Sequence, residues 1–122
     1  TGQKFFTLNE ATALLPTIKR IFAKHESAIQ KQLAEQRYFV STGASEFRVK
    51  QCDDSISKEM VKLGTKIFKL GCKVFGDSYI GFNTGSMYWS YRYPEERIEY
   101  YHGLFDKPKF KRVKIEFIKG AI

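Results

Sequence analysis

Four side chains of this 122-residue chain are of types that ligate metals or act as acid, base or nucleophile near neutral pH: His25, His102, Cys52 and Cys72. None sits at a spacing that makes a site by itself. Zinc centres draw on closely spaced ligand pairs, and no C-x-x-C or H-E-x-x-H run occurs. Two cysteines are too few for a disulfide framework, so free thiols in a reducing cytoplasm are the expectation. A phosphate-binding loop fails as well, because Gly76 and Gly81 lead to Phe82 rather than to a Lys-Ser or Lys-Thr pair at a helix start. No G-x-G-x-x-G and no nucleophile elbow are present. The expectation is therefore no metal, no cofactor and no catalytic residue.

Three constellations remain. The first is a polar cluster of Arg92, Glu95, Tyr100 and His102, in which His102 would be a general base or proton switch with polar neighbours. The competing reading is a core histidine with one hydrogen bond beside a strand-end Arg92–Glu95 ion pair. The second is a set of aromatics and cations, Tyr79, Tyr88, Tyr101, Arg92, Arg97, Arg112 and Lys114, the residue types on which single-stranded nucleic acid stacks and neutralises its phosphates. Against it stands the general preference of tyrosine for strands. The third is Ser57, Val61, Gly64 and Phe68, small and apolar residues at helical spacing that let another helix approach closely. Beside them Lys58, Lys62, Lys66, Lys69 and Lys73 form a basic stripe, which is either a phosphate-binding row or a solvated face.

The elements that position these residues follow from pattern. Thr7 and Glu10 form a capping box, so a helix starts at Leu8. Pro16 predicts an end to a short first helix near Leu14 and a corner there. From Pro16, Ile18, Phe22, His25, Ile29, Gln32, Gln36 and Phe39 recur at helical steps, with His25 placed on the seam to find one buried partner. Ser41 to Ser45 reads as a loop. A second helix then carries Val49, Cys52, Ile56, Met60, Leu63, Ile67 and Leu70, and the short connection makes the two antiparallel neighbours of about 25 residues each.

Gly71 marks the helix end, and beyond it the apolar period changes to two. Ile80 and Phe82, then Met87, Trp89 and Tyr91, then Ile98, Tyr100 and His102 form three strands, with turns at Thr84-Gly85 and Pro94-Glu95. In that register Phe82 faces Met87, Trp89 faces Ile80 and Tyr100, and Tyr91 faces Ile98. The inner face then holds all eight of those residues. The outer face shows Tyr79, Tyr88 and Tyr101 with Asn83, Ser90, Arg92, Arg97 and Glu99. Val113, Ile115 and Phe117 alternate in the tail and extend the meander to four strands. The fold class is α+β: a short N-terminal helix, a long antiparallel helical hairpin and a three- to four-stranded antiparallel β-meander packed on it. We read one domain over 1–122, with a helical part at 7–70, the meander at 72–102 and a basic tail at 103–122.

A chain that is 43% hydrophobic and 28% charged fits a globular protein, and its apolar runs are too short for a bilayer span. The polar opening, Thr1 to Lys4, carries no signal-peptide pattern. Twenty-one Lys and Arg against 13 Asp and Glu give +8. Of this, +5 lies in residues 107–122, where Lys107, Lys109, Lys111, Arg112, Lys114 and Lys119 oppose Glu116. Such a balance favours acidic or polyanionic partners.

The opening Phe6-Thr7-Leu8-Asn9-Glu10-Ala11, running to Leu14-Leu15-Pro16, resembles that of a prokaryotic family called domain of unknown function 2203. Gly71, Tyr91-Arg92, Glu95, Ile98 and Tyr100-Tyr101-His102 resemble its second half. The resemblance covers about residues 5 to 102 and implies a helical pair followed by a strand hairpin. It carries no activity with it. Pro94 stands where the family tends to have Gly, and Tyr91 and Tyr101 stand where it tends to have Trp.

Function is then read from the residues. The leading reading is a non-catalytic interaction module of a cytoplasmic bacterial protein, dimeric through its helices and presenting a basic, tyrosine-rich sheet face. The alternative is a single-stranded nucleic-acid (RNA) binder, and a weaker alternative is a small enzyme centred on His102. The partners expected are a second copy of the chain, with a nucleic acid or an acidic protein as further candidates. No membrane is expected.

Overall fold

The computed structural model describes residues 4–116. The chain gathers into two compact units: Arg20–Lys66 forms one, and the segments up to Lys19 and from Ile67 onward form the other. Helix α1 spans Leu8–Ser41 and helix α2 spans Glu46–Lys69, so each helix contributes to both units.

The capping box forms as its chemistry requires. The Thr7 N–H donates to Glu10 Oε1 at 2.9 Å, and the Glu10 N–H donates to Thr7 Oγ1 at 3.1 Å. These bonds, that of the Thr7 backbone first, hold the Glu10 carboxyl below its usual pKa. The expected corner at Pro16 is absent, and the short helix and the long one are a single 34-residue helix. Pro16 and Thr12, whose carbonyl loses its partner to the proline, are both exposed, so water can take up the freed group. Buried Ala11, Leu15 and Ile18 keep the apolar stripe unbroken across the proline.

In the hairpin unit, three polar links bridge the antiparallel helices. His25 Nδ1 lies 2.7 Å from Glu59 Oε2, and the Gln36 amide donates to the Val49 carbonyl at 3.2 Å and to Asp53 Oδ1 at 2.5 Å. Helix α2 closes at Gly71, whose φ of +95° is open to glycine and whose N–H reaches the Phe68 carbonyl.

In the other unit, five antiparallel strands lie in chain order: β1 Lys73–Gly76, β2 Tyr79–Asn83, β3 Met87–Arg92, β4 Tyr100–Gly103 and β5 Val113–Lys114. Strand β1 was not anticipated. It joins β2 through a tight turn in which Gly76, Asp77 and Ser78 all have positive φ. The tail strand begins at Val113 as expected; Phe117 and Lys119 lie outside the described residues.

Two registers differ from the sequence reading, with different consequences. The first turn is centred on Gly85-Ser86 instead of Thr84-Gly85, and the Thr84 N–H closes it on the Met87 carbonyl. That moves the pairing by two, giving Phe82 opposite Trp89 and Ile80 opposite Tyr91, and every side chain keeps its face. The second connection is longer than a tight turn, because Arg92 is followed by irregular chain until Tyr100. Here Tyr88 pairs with His102, Trp89 with Tyr101 and Ser90 with Tyr100, a slip of one residue from the expected pairing. Strand β4 is therefore turned over: Tyr101 joins the face of Trp89, while Tyr100 and His102 join that of Tyr88.

The inner face carries Ile80, Phe82, Trp89 and Tyr91, all buried, and Phe6 meets Phe82 edge to face at 5.3 Å. Ile98, expected as a strand residue opposite Tyr91, lies before β4 and is buried nonetheless.

Candidate functional site

The outer face of the sheet collects most of the residues singled out for chemistry. Pairing places Tyr79, Gly81 and Asn83 of β2 beside Arg92, Ser90 and Tyr88 of β3, and the last two beside Tyr100 and His102 of β4. This face is not an open tyrosine platform. Tyr79 is 8% exposed and Tyr88 is 5% exposed, while Tyr101 points to the opposite side. Arg97 and Glu99 lie outside any strand and pair with each other at 3.1 Å.

Two layers cover the face. Over one end, a bulge in β1 leaves Phe75 as an extra residue. Its ring stands edge-on to Tyr88 at 5.3 Å and to His102 at 5.0 Å. The Lys73 ammonium, expected on the helical basic stripe, sits over the Phe75 and Tyr88 rings instead. Over the other end lie two guanidinium groups. Arg112 stacks on Tyr100 at 4.0 Å and reaches Tyr79 at 5.3 Å, and Arg92 lies over Tyr79 at 4.9 Å. Guanidinium faces are attracted by ring quadrupoles, more strongly as water is removed.

Glu95 ties this layer together. One terminal nitrogen of Arg112 donates to both Glu95 oxygens at 2.9 Å, and Glu95 Oε1 also accepts the Arg92 backbone N–H at 2.7 Å. The Glu95 carbonyl accepts the Tyr91 hydroxyl, whose pKa is pushed up to about 12, by burial above all. Arg92, Glu95 and Tyr100 are thus brought together, but Arg112 is the member that joins them, across 17 residues of sequence. Sequence reasoning had placed Arg112 with the nucleic-acid surface. The ion-pair expectation changes too: the Glu95 side chain takes Arg112 as its ionic partner and the main chain of Arg92.

His102 lies on the same face and is 1% exposed. Its Nδ1 is 2.9 Å from the Gly103 carbonyl oxygen, an acceptor, which places the ring proton on Nδ1. Burial first, opposed by the Gly103 bond and Asp106, lowers its pKa below the ordinary 6.5, so the neutral ring is the resident form. Nε2 is buried without a hydrogen-bond partner among the described residues, as are Ser90 Oγ and Arg112 Nε. The ring is enclosed beside those of Phe75 and Tyr88, at 5.0 and 5.2 Å between centroids.

The hairpin unit holds a different set. His25 is buried and has Glu59 as its partner, the reading its seam position suggested. The Glu59 carboxyl lies below its usual pKa chiefly through this bond. Elsewhere in the same unit lies an open groove of about 860 Å³, lined by residues that include Glu35, Phe39, Arg48, Cys52 and Lys58. No signal in the sequence announced it. The Cys52 thiol is pushed up by burial and then by Glu35 and Asp53, and Cys72, in the other unit, is pushed by burial to about 12. Neither has thiolate character.

The self-association residues divide between the units. In the hairpin, Val61 is 68% exposed, Ser57 is exposed, and a Cβ built on Gly64 would meet nothing within 4 Å. Phe68, in the sheet-bearing unit, is 71% exposed. Among the described residues, no three His, Cys, Asp or Glu side chains gather as a metal site, and no helix is long and apolar enough to cross a membrane.

A family model described as an uncharacterised conserved protein (DUF2203) matches residues 4–108. No curated protein and no solved structure matches the chain.

Proposed function

We propose that this chain, which belongs to the DUF2203 family, is a non-catalytic assembly module that self-associates through the outer side of α2. Gly64 carries the reading. A glycine inside a helix costs about 1 kcal/mol relative to alanine, and no contact among the described residues requires one here. Its neighbours on the same helix, Met60 at 58% and Val61 at 68% exposure, leave apolar surface uncovered. A small residue between exposed apolar side chains is what a second helix packs against closely. The reading of His102 as an enzyme centre loses support from the ring's complete burial.

Light scattering coupled to size-exclusion chromatography tests this across a dilution series. Wild type should run at twice the 14.2 kDa chain mass, and both Gly64→Leu and Val61→Glu should run at the single mass with unchanged circular dichroism. A wild-type monomer at every concentration, or variants of undiminished mass, would overturn it.

A further inference from the structure

Between β4 and β5 the chain makes a loop, residues 104–112, that displays two phenylalanines to solvent. Phe105 is 99% exposed and Phe110 is 78% exposed. The loop is built rather than loose. The Gly103 N–H donates to Asp106 Oδ2 at 3.1 Å, and the Asp106 N–H returns to the Gly103 carbonyl at 3.2 Å. The N–H groups of Phe110 and Lys111 both reach the Lys107 carbonyl at 3.0 Å. Pro108 is buried, and Arg112 fastens the far end to Glu95. An ordered loop that keeps two large rings in water leaves a favourable burial unrealised within the chain.

The segment that carries the rings is rich in cations. Lys107, Lys109, Lys111, Arg112 and Lys114 face one acid of the segment, Asp106. Lys109 and Lys111 are more than half exposed, and their pairings with Asp77 at 3.5 Å and Asp106 at 4.0 Å are surface contacts that a stronger anion displaces. The Lys109 ammonium lies 5.9 Å from the centre of the Phe110 ring.

We propose that this loop binds single-stranded nucleic acid, with bases stacked on Phe105 and Phe110 and phosphates neutralised by Lys107, Lys109, Lys111 and Lys114. Asp106, Lys107 and Lys109 stand between the two rings in the chain. A membrane-inserting loop gathers its apolar residues at the tip with charges behind, and here charged residues would enter the hydrocarbon with the rings. A protein partner's apolar pocket calls for a contiguous apolar patch, whereas here charged residues are interposed between the two phenylalanines in the chain. Base stacking uses one ring at a time and favours a cation beside each. This surface differs from the tyrosine face expected from sequence, and it does not rest on the self-association of α2.

Fluorescence anisotropy with labelled oligouridine and oligothymidine, on wild type and on the Val61→Glu chain, is the test. Phe105→Ala or Phe110→Ala should weaken binding about ten-fold and the double variant about a hundred-fold, with the salt dependence unchanged. Replacing Lys107, Lys109 and Lys111 by Ala should reduce the slope of log K against log salt by roughly two. Phe105→Trp should retain affinity. Preference between the two oligomers assigns RNA or DNA. Equal affinity of the double phenylalanine variant and wild type would overturn the proposal, leaving nonspecific attraction to a +8 chain. So would absence of binding at low salt, or phenylalanine-dependent sedimentation with phosphatidylserine vesicles without oligomer binding.

Discussion

Gly81 in the sheet and Gly64 in the hairpin are both interior glycines of regular elements, and their surroundings are opposite. A Cβ on Gly81 would lie 2.8 Å from Phe75 and 2.8 Å from Tyr88, whereas one on Gly64 would meet nothing within 4 Å among the described residues. The first glycine is explained inside the chain, since it makes room for the rings that close over the outer face. The second has no such explanation among the described residues. The sheet closes its outer face with its own rings, and the hairpin unit leaves a close-approach position unused.

The sharpest way to probe that contrast is to hollow out the sheet. Phe82 is fully buried and edge-on to Phe6, so Phe82→Ala should cost about 3 to 5 kcal/mol in urea unfolding. Gly81→Ala should cost about 1 to 3 kcal/mol, because two packed rings must move. Gly64→Ala should do the reverse and stabilise the dilute chain by about 1 kcal/mol. A destabilising Gly64→Ala would break the comparison.

The gentlest probe removes no atom. The folded pKa of His102 lies below 6.5, so the unfolded chain binds its proton first. Stability from the neutral ring is complete above 6.5 and is lost as pH falls through the lowered folded value. Glu59 in the hairpin, depressed from 4.5, gives up its contribution in more acid solution. Denaturation midpoints should therefore begin to fall below pH 6.5, and His102→Phe should flatten that first segment of the profile.

The helices were legible because local signals agreed: the Thr7–Glu10 box, the seam through His25, the small-residue loop and Gly71. Pro16 misled because its effect depends on which side of the helix it occupies, a matter settled by the burial of Ala11, Leu15 and Ile18. The strands were legible as alternation and their pairing was not. Moving the first turn by one residue changed the register by two and left the faces intact. The longer chain after Arg92 changed it by one and turned Tyr100, Tyr101 and His102 over. Of the candidate site, Arg92, Glu95 and Tyr100 were found as neighbours in sequence, while Arg112 joins them only by pairing of the tail strand. Phe105 and Phe110 gave no periodic signal, since only structure distinguishes a loop phenylalanine held in water from one folded inward.

The clamp of Arg112 on Glu95 and Tyr100 has a calorimetric meaning. With both ends of the basic loop fastened, its conformational entropy is lost when the chain folds, not when a ligand arrives. Association there should show a small heat-capacity change, limited to the area of the two rings, without the large unfavourable entropy of a segment that orders on binding. Releasing the clamp with Glu95→Gln would transfer that entropy from the folding step to the binding step.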